Sequence, residues 1–173
     1  MTNSSSPFQS LPYRPNAGIA LFNKEGELFL GRRVDHRQQI WQCPQGGINE
    51  NETPEQAAWR EMDEEIGTNK AKFLGEREGW ITYELPARLY GKALGGKYRG
   101  QRQKWVVFAF TGEDSDIDLE KYDIPEFSEW KWAAPQEILS DYNLGFKSKA
   151  YQEVFPDIIE IFNQSAFGKG SKS

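Results

Sequence analysis

Apolar residues fall first into two short runs, AGIALF (17–22) and ELFLGRR (27–33), with the polar turn NKEG between them. Runs of that length bounded by turn residues predict a strand hairpin. FLGEREGWITYEL continues the strand pattern, and KWVVFAF is rich in the β-branched and aromatic residues that suit a pleated, half-buried surface. The basic, glycine-rich stretch between them, PARLYGKALGGKYRGQRQ, predicts a mobile arm. EWKWAA alternates as a further strand, PQEILSDY predicts a short helix, and SKAYQEVFPDIIEIFNQ predicts a C-terminal helix that Pro156 starts, kinks or divides. Strands mixed with few helices predict a layered α/β or α+β domain. The Ser-, Pro- and Asn-rich start (1–11) and the end FGKGSKS (within 165–173) predict mobile tails around one domain at 12–164.

One helix can be placed from local chemistry alone. Thr53-Pro54-Glu55-Gln56 combines a hydroxyl at the N-cap, proline at the first helical position and glutamine placed to complete a capping box. Gly67 supplies the stop. With Ala58 at 0°, Met62, Ile66 and Trp59 fall at about 40°, 80° and 100°, an apolar arc facing a core. Glu64, Glu61 and Glu65 fall at about 240°, 300° and 340° and share a second arc, while Glu55 and Asp63 fall outside it. Like charges at i,i+3 and i,i+4 repel, and these sit in the last turn, where the helix dipole disfavours anions. Such an arc is either a solvated acidic face or a place where something positive is held. A hard divalent ion, bound by clustered oxygens, would reverse the sign of the repulsion.

Composition narrows the alternatives. A length of 173 residues fits one domain able to bury roughly two thirds of its unfolded surface. The net charge of −5 and sequence pI near 5.1 argue against a protein that coats an extended nucleic-acid backbone, although a phosphate-bearing ligand or a nucleic-acid end remains compatible. With Cys43 the only cysteine and His36 the only histidine, an internal disulfide and a Cys/His zinc cluster are excluded. The N-terminus lacks a secretory signal and no stretch is long enough to span a bilayer, so a cytoplasmic location is expected. The high aromatic share, 14%, implies extensive ring packing, with Trp41, Trp105, Trp130 and Trp132 expected mostly in the core.

The spacing of the acidic helix reaches further. Gly46, five residues, Glu52, seven residues, then Arg60-Glu61-Met62-Asp63-Glu64-Glu65-Ile66-Gly67 resembles the signature of the Nudix hydrolases, with Thr68 in place of the usual aliphatic residue. The segments YRPNAG (13–18), IWQCPQGG (40–47), GWITYELP (79–86), YRGQRQKW (98–105) and PEFSEWKW (125–132) are similar to the subgroup of RNA pyrophosphohydrolases and dinucleoside polyphosphate hydrolases. The resemblance implies an α/β/α sandwich with a mixed sheet and a loop–helix–loop catalytic motif. It implies a metal site of Glu61, Glu64 and Glu65 with the Gly46 carbonyl, and a Glu52–Arg60 pair bracing the loop. The helical wheel reaches the same three glutamates, but only the resemblance says what the metal is for.

The expected cofactor is a divalent ion, Mg2+ first, with Mn2+ or Zn2+ as alternatives. Such an ion neutralises a phosphoanhydride enough for water to attack. The resemblance places a base or extra metal ligand at Glu126, with Glu65 the competing base. Arg14, Arg33 and Lys104 are the expected polyphosphate grips, since their charge holds anions. Gln45 is expected to bond a phosphate or orient water. Tyr83 and Phe146 are candidate stacking faces for a base, with Lys147 beside them. The implied reaction is removal of pyrophosphate from a 5'-triphosphorylated RNA end. The alternatives are hydrolysis of a dinucleoside polyphosphate such as diadenosine tetraphosphate, and a catalytically dead nucleotide-binding module.

Overall fold

The computed structural model describes residues 10–34 and 39–170. The predicted N-terminal tail, the last three residues and His36 therefore lie largely or wholly outside the described residues. The strands are β1 (Tyr13–Phe22), β2 (Leu28–Arg33), β3 (Trp41–Gln42), β4 (Gln45–Gly47), β5 (Ala71–Glu76), β6 (Ile81–Glu84), β7 (Gly100–Phe110) and β8 (Phe127–Ala133). The helices are α1 (Pro54–Ile66), α2 (Pro135–Asp141), α3 (Ser148–Gln164) and α4 (Ala166–Gly170).

All eight strands join one mixed sheet. At its centre β1 runs parallel to β7 in continuous register, from Tyr13 opposite Gly100 to Phe22 opposite Ala109. The other pairs are antiparallel. Because β7 occupies one whole edge of β1, its other edge is shared by β2, at Phe22–Leu28, and β4, at Asn16–Gly18. The two strands diverge, and the segment Trp41–Gly47 fills the fork, bonded to β2 through β3 and to β1 through β4.

Strand alternation then divides the core. Ala17, Ile19 and Leu21 with Val106 and Phe108 pack under Ala57, Ala58, Met62 and Ile66 of α1. Ala20 and Phe22 with Trp105 and Val107 pack under Val154, Phe155, Ile158 and Phe162 of α3. This is the expected α/β/α sandwich.

Several predicted elements change in detail. FLGEREGWITYEL forms two strands, β5 and β6, broken at residues 77–80. The predicted arm is shorter and more ordered, since its last residues, Gly100–Gln103, belong to β7. Its base is pinned where the Arg99 guanidinium pairs with Glu84 at 2.6 Å and lies over the Tyr13 ring at 4.9 Å. Pro156 does not divide α3. Both it and Gln152, whose carbonyl loses its helical donor, face water, where that carbonyl can be solvated. Beyond Gln164 the chain turns into α4, with Phe167 packed against the α3-side core. Of the four tryptophans expected in the core only Trp105 is fully buried. Trp41, Trp130 and Trp132 lie half-buried at the layer's margins, Trp130 stacked on Phe29 at 5.5 Å.

Candidate active site

Helix α1 starts and stops as its local sequence dictates. Thr53 Oγ1 accepts from the Gln56 N–H at 3.1 Å and Gln56 Oε1 accepts from the Thr53 N–H at 3.0 Å, closing the capping box. Gly67 ends the helix at φ 82°, a conformation costly for other residues. The helical phase is thereby fixed, and the acidic arc turns toward the fork. A Cβ on Gly46 would fall 1.9 Å from the Glu61 carboxyl carbon, so only glycine lets the fork approach that carboxylate so closely. One turn on, Glu65 is 7% exposed, and its Oε2 accepts the Gln45 N–H at 3.2 Å.

The three arc residues sit in different surroundings. Glu64 is exposed, Glu61 largely covered and Glu65 buried. Burial pushes the Glu65 carboxyl well above the usual range, and the negative charges of Glu126 and Glu61 push it further. Glu126, in the turn before β8, therefore faces the same corner as the arc. Burial also raises Glu61, opposed by Arg60.

Arg60 organises the outer side of the arc. Its Nε and Nη2 donate to the two Glu52 oxygens at 2.8 and 3.0 Å, and Nη2 also donates to the Gly47 carbonyl at 2.8 Å. Nη1 donates to Glu61 at 2.7 Å and to Glu64 at 3.4 Å. The forked guanidinium thus ties the loop before α1 to the helix itself. Off the arc, Asp63 takes Lys121 at 2.6 Å, and Glu55 accepts from the Trp59 indole at 3.2 Å.

Facing the acids is a wall of donors. Arg14 lies against Gly47, where a Cβ would meet its Nη2 at 2.4 Å, and its charge is felt by both Glu61 and Tyr83. Lys147 is only 5% exposed, and its Nζ donates to Gln42 Oε1 at 2.8 Å. Arg33 reaches the same Gln42 oxygen at 3.4 Å. Burial, then the nearby Arg33 charge, lowers the Lys147 amine to about 7, against the pull of Glu65 and Glu126. The Tyr83 and Phe146 rings lie 5.7 Å apart and tilted by 55°, with Phe146 40% exposed and Tyr83 packed against the core, so Phe146 offers the open face and Tyr83 lies beside it. The segment preceding α3, a short turn at Gly145–Lys147, carries Phe146 and Lys147 side by side into this wall.

Lys104 is not among the residues brought together. It alternates with Gln103 and Trp105 along β7, so it falls on the α1 face with Arg102 while the donors line the other. Four polar residues of the site escaped the sequence reading: Asn16, Gln42, Gln101 and Gln103, all buried. They fall within 13–18, 40–47 and 98–105, and the alternation of polar Gln101 and Gln103 toward Trp105 along one strand was the available signal.

Among the described residues no three His, Cys, Asp or Glu side chains already enclose one point as a ready metal cage. Arg60 pairs with Glu61 and Glu64 instead. The donor chemistry nevertheless fits a hard cation, because Mg2+-like ions take one or two carboxylates and complete their shell with waters and phosphate oxygens. The strain on Glu65, a buried carboxyl beside like charges, is of the kind a cation relieves. Glu61, Glu64, Glu65, Glu126 and the Gly46 carbonyl are the groups able to hold one.

Two helical layers over a mixed sheet, with acids on one helix and donors opposite, define an α/β/α sandwich suited to a polyanionic substrate. The chain belongs to the NUDIX family, whose domain model matches residues 12–156. A protein of Gluconobacter oxydans named RNA pyrophosphohydrolase is 56% identical over 157 residues, covering 91% of this chain and 92% of that protein. One of the same name from Gluconacetobacter diazotrophicus is 48% identical, covering 90% and 96%. Among solved structures, the MutT protein of Methanosarcina mazei shares the fold at TM-score 0.57 and 22% identity, covering 90% of this chain and 99% of that one. The chain is a Nudix hydrolase, and the family generally uses divalent metal ions. No described helix is long and apolar enough to cross a membrane.

Proposed function

We propose that this enzyme removes pyrophosphate from 5'-triphosphorylated RNA. Water adds to the triphosphate, the α–β anhydride bond breaks, and the RNA keeps a 5'-monophosphate. The observation that carries the reading is the meeting of the acidic arc and the donor wall across the Gly46–Gly47 fork. The relatives named RNA pyrophosphohydrolase agree with it.

In this reading Glu61, Glu64 and Glu65, with the Gly46 carbonyl, hold Mg2+, which when bound neutralises phosphate oxygens. Arg14, Arg33, Gln45 and Lys147 grip the polyphosphate by charge-assisted hydrogen bonds. Tyr83 and Phe146 stack an RNA base, a contact of about 1 to 3 kcal/mol. Glu126 takes the proton from the attacking water, because Glu65 is buried and one of its oxygens already accepts from Gln45. Only an RNA end must be gripped, so a net charge of −5 is no obstacle. The reading also puts the protein in the cytoplasm, where transcripts are made.

The test is to assay a 5'-triphosphorylated oligoribonucleotide and diadenosine tetraphosphate side by side with Mg2+. The expected result is pyrophosphate release from the RNA with the larger kcat/KM. A larger value for the dinucleotide would make that the main substrate, and binding of either without turnover would leave a binding module.

A further inference from the structure

We propose that Gln103, a residue that does not reach the substrate, sets the donor polarity of the phosphate pocket through a relay of side-chain amides anchored on the Trp105 indole. The inference rests on the reading of that pocket as a polyphosphate site.

The relay begins with a group that has only one option. An indole N–H donates and cannot accept. Trp105 Nε1 donates to Gln103 Oε1 at 3.2 Å, so the other end of the Gln103 amide must be the NH2. That NH2 donates to Asn16 Oδ1 and to Gln45 Oε1, each at 2.8 Å, which uses both of its hydrogens. Gln45 therefore offers its oxygen to the core and its own NH2 to the pocket. That NH2 lies beside the Tyr83 hydroxyl, which itself donates to Gln101 Oε1. Among the described residues no hydrogen bond of full geometry takes a side-chain N–H of Gln45, which leaves the NH2 for a phosphate oxygen. Were the amide reversed, Gln45 would turn carbonyl lone pairs toward an anion.

The sheet builds this relay in register. Asn16 lies directly opposite Gln103 and Gly18 opposite Trp105 in the β1–β7 pair, and Gly18 lies opposite Gln45 in the β1–β4 pair. A Cβ on Gly18 would fall 2.6 Å from the Trp105 ring, so glycine there makes room for the anchor. Gln103 is 1% exposed, Trp105 1% and Asn16 1%, so no water competes for these bonds and the polarity is held. The same Gln45 gives its backbone N–H to Glu65, so one residue is oriented toward the acids by its main chain and toward the phosphates by its side chain.

Three variants test the proposal by steady-state kinetics on the triphosphorylated oligoribonucleotide and by calorimetric binding of inorganic tripolyphosphate. Gln103→Glu still accepts from Trp105 but has one hydrogen to give when neutral and none when ionised, so it cannot serve both Asn16 and Gln45, and the ionised form forces Gln45 to reverse. KM and the tripolyphosphate Kd are expected to rise, reaching about tenfold or more as pH is raised to ionise the new carboxyl, with kcat within about threefold. Gln103→Met and Trp105→Phe leave the Gln45 amide unfixed rather than reversed, and both constants are expected to rise about threefold. The Trp105 indole N–H resonance is expected to move in Gln103→Met and to persist in Gln103→Glu. A purely structural role would lower thermal stability and leave KM and Kd at wild-type values in the folded variants, which would overturn the proposal. If Gln103→Glu does not fold, the other two decide by the same criterion. Wild-type protein that binds tripolyphosphate without cleaving RNA would remove the proposed reaction while leaving the relay testable by Kd.

Discussion

The two sides of α1 carry similar charges in opposite states. On the outer side Arg60 meets Glu52, Glu61 and Glu64, and its partner Glu52 has a carboxyl held below the usual range by that hydrogen-bonded guanidinium. On the inner side Glu65 is buried against Glu126 and Glu61 with its carboxyl pushed up, while Lys147, also buried, has its amine pushed down. The Arg60–Glu52 pair is complete as folded and acts as a brace, while Glu61 is shared between that brace and the inner acids. On the inner side Glu65, Glu126 and Lys147 feel one another's charge, yet burial outweighs that attraction for Glu65 and Lys147, and in the proposed reading a divalent ion with a polyphosphate would complete the balance. Charge balance, more than charge count, thus separates the scaffold from the reactive centre.

The largest effect expected from breaking this contrast is kinetic. Glu65→Gln should fold and lose about 100- to 10,000-fold in kcat, the range for a group acting at the reacting centre. The same change should raise the melting temperature of metal-free protein at pH 8. A carboxyl raised in the folded state costs stability once pH exceeds the unfolded value of about 4.3, and glutamine removes that cost.

The outer side should respond in the opposite sense. Arg60→Ala is expected to destabilise by about 2 kcal/mol in chemical denaturation, between the values for surface and buried pairs, because Glu52 and Glu61 lose their shared partner. Glu52→Gln should cost less, and its cost should vanish as acid protonates the wild-type carboxylate.

A smaller effect concerns Lys147. Its folded-state value of about 7 lies below the unfolded value of about 10.4, so metal-free protein sheds this proton on folding between those limits. Stability is therefore expected to rise with pH from 7 toward 10 in wild type, and Lys147→Met should flatten that rise in thermal melts. Smallest of all, Glu55→Gln, on the same helix but off the arc, should change stability and kcat by less than about 0.5 kcal/mol.

The contrast also explains which parts were legible in the sequence. The capping box, Gly67 and the helical period are local, so α1 and the phase of its three glutamates could be read directly. Trp105 and the alternation through Gln101 and Gln103 were equally local, yet they revealed no chemistry, because their partners Asn16 and Gln45 arrive through the β1–β7 and β1–β4 registers. Lys104 shows the converse. It lies in a segment matching the subgroup, but strand alternation sends it to the α1 face, and only the placement of β7 between α1 and α3 shows that the donors line the other side. The burial of Lys147 has the same origin, since a turn before α3 folds it under Gln42 of the fork. The short α4 was missed because glycine, lysine and serine read as a tail, while Phe167 supplied the apolar contact that holds it.

We propose that the arc of Glu61, Glu64 and Glu65, rather than the general acidity of the helix, holds the ion. It is tested most directly by titrating Mn2+ into the folded protein and following the loss of free-ion signal by electron paramagnetic resonance. Wild type and Glu55→Gln should bind with equal affinity, and Glu65→Gln at least about tenfold more weakly. Equal affinities for wild type and Glu65→Gln, or an equal loss in Glu55→Gln, would contradict it.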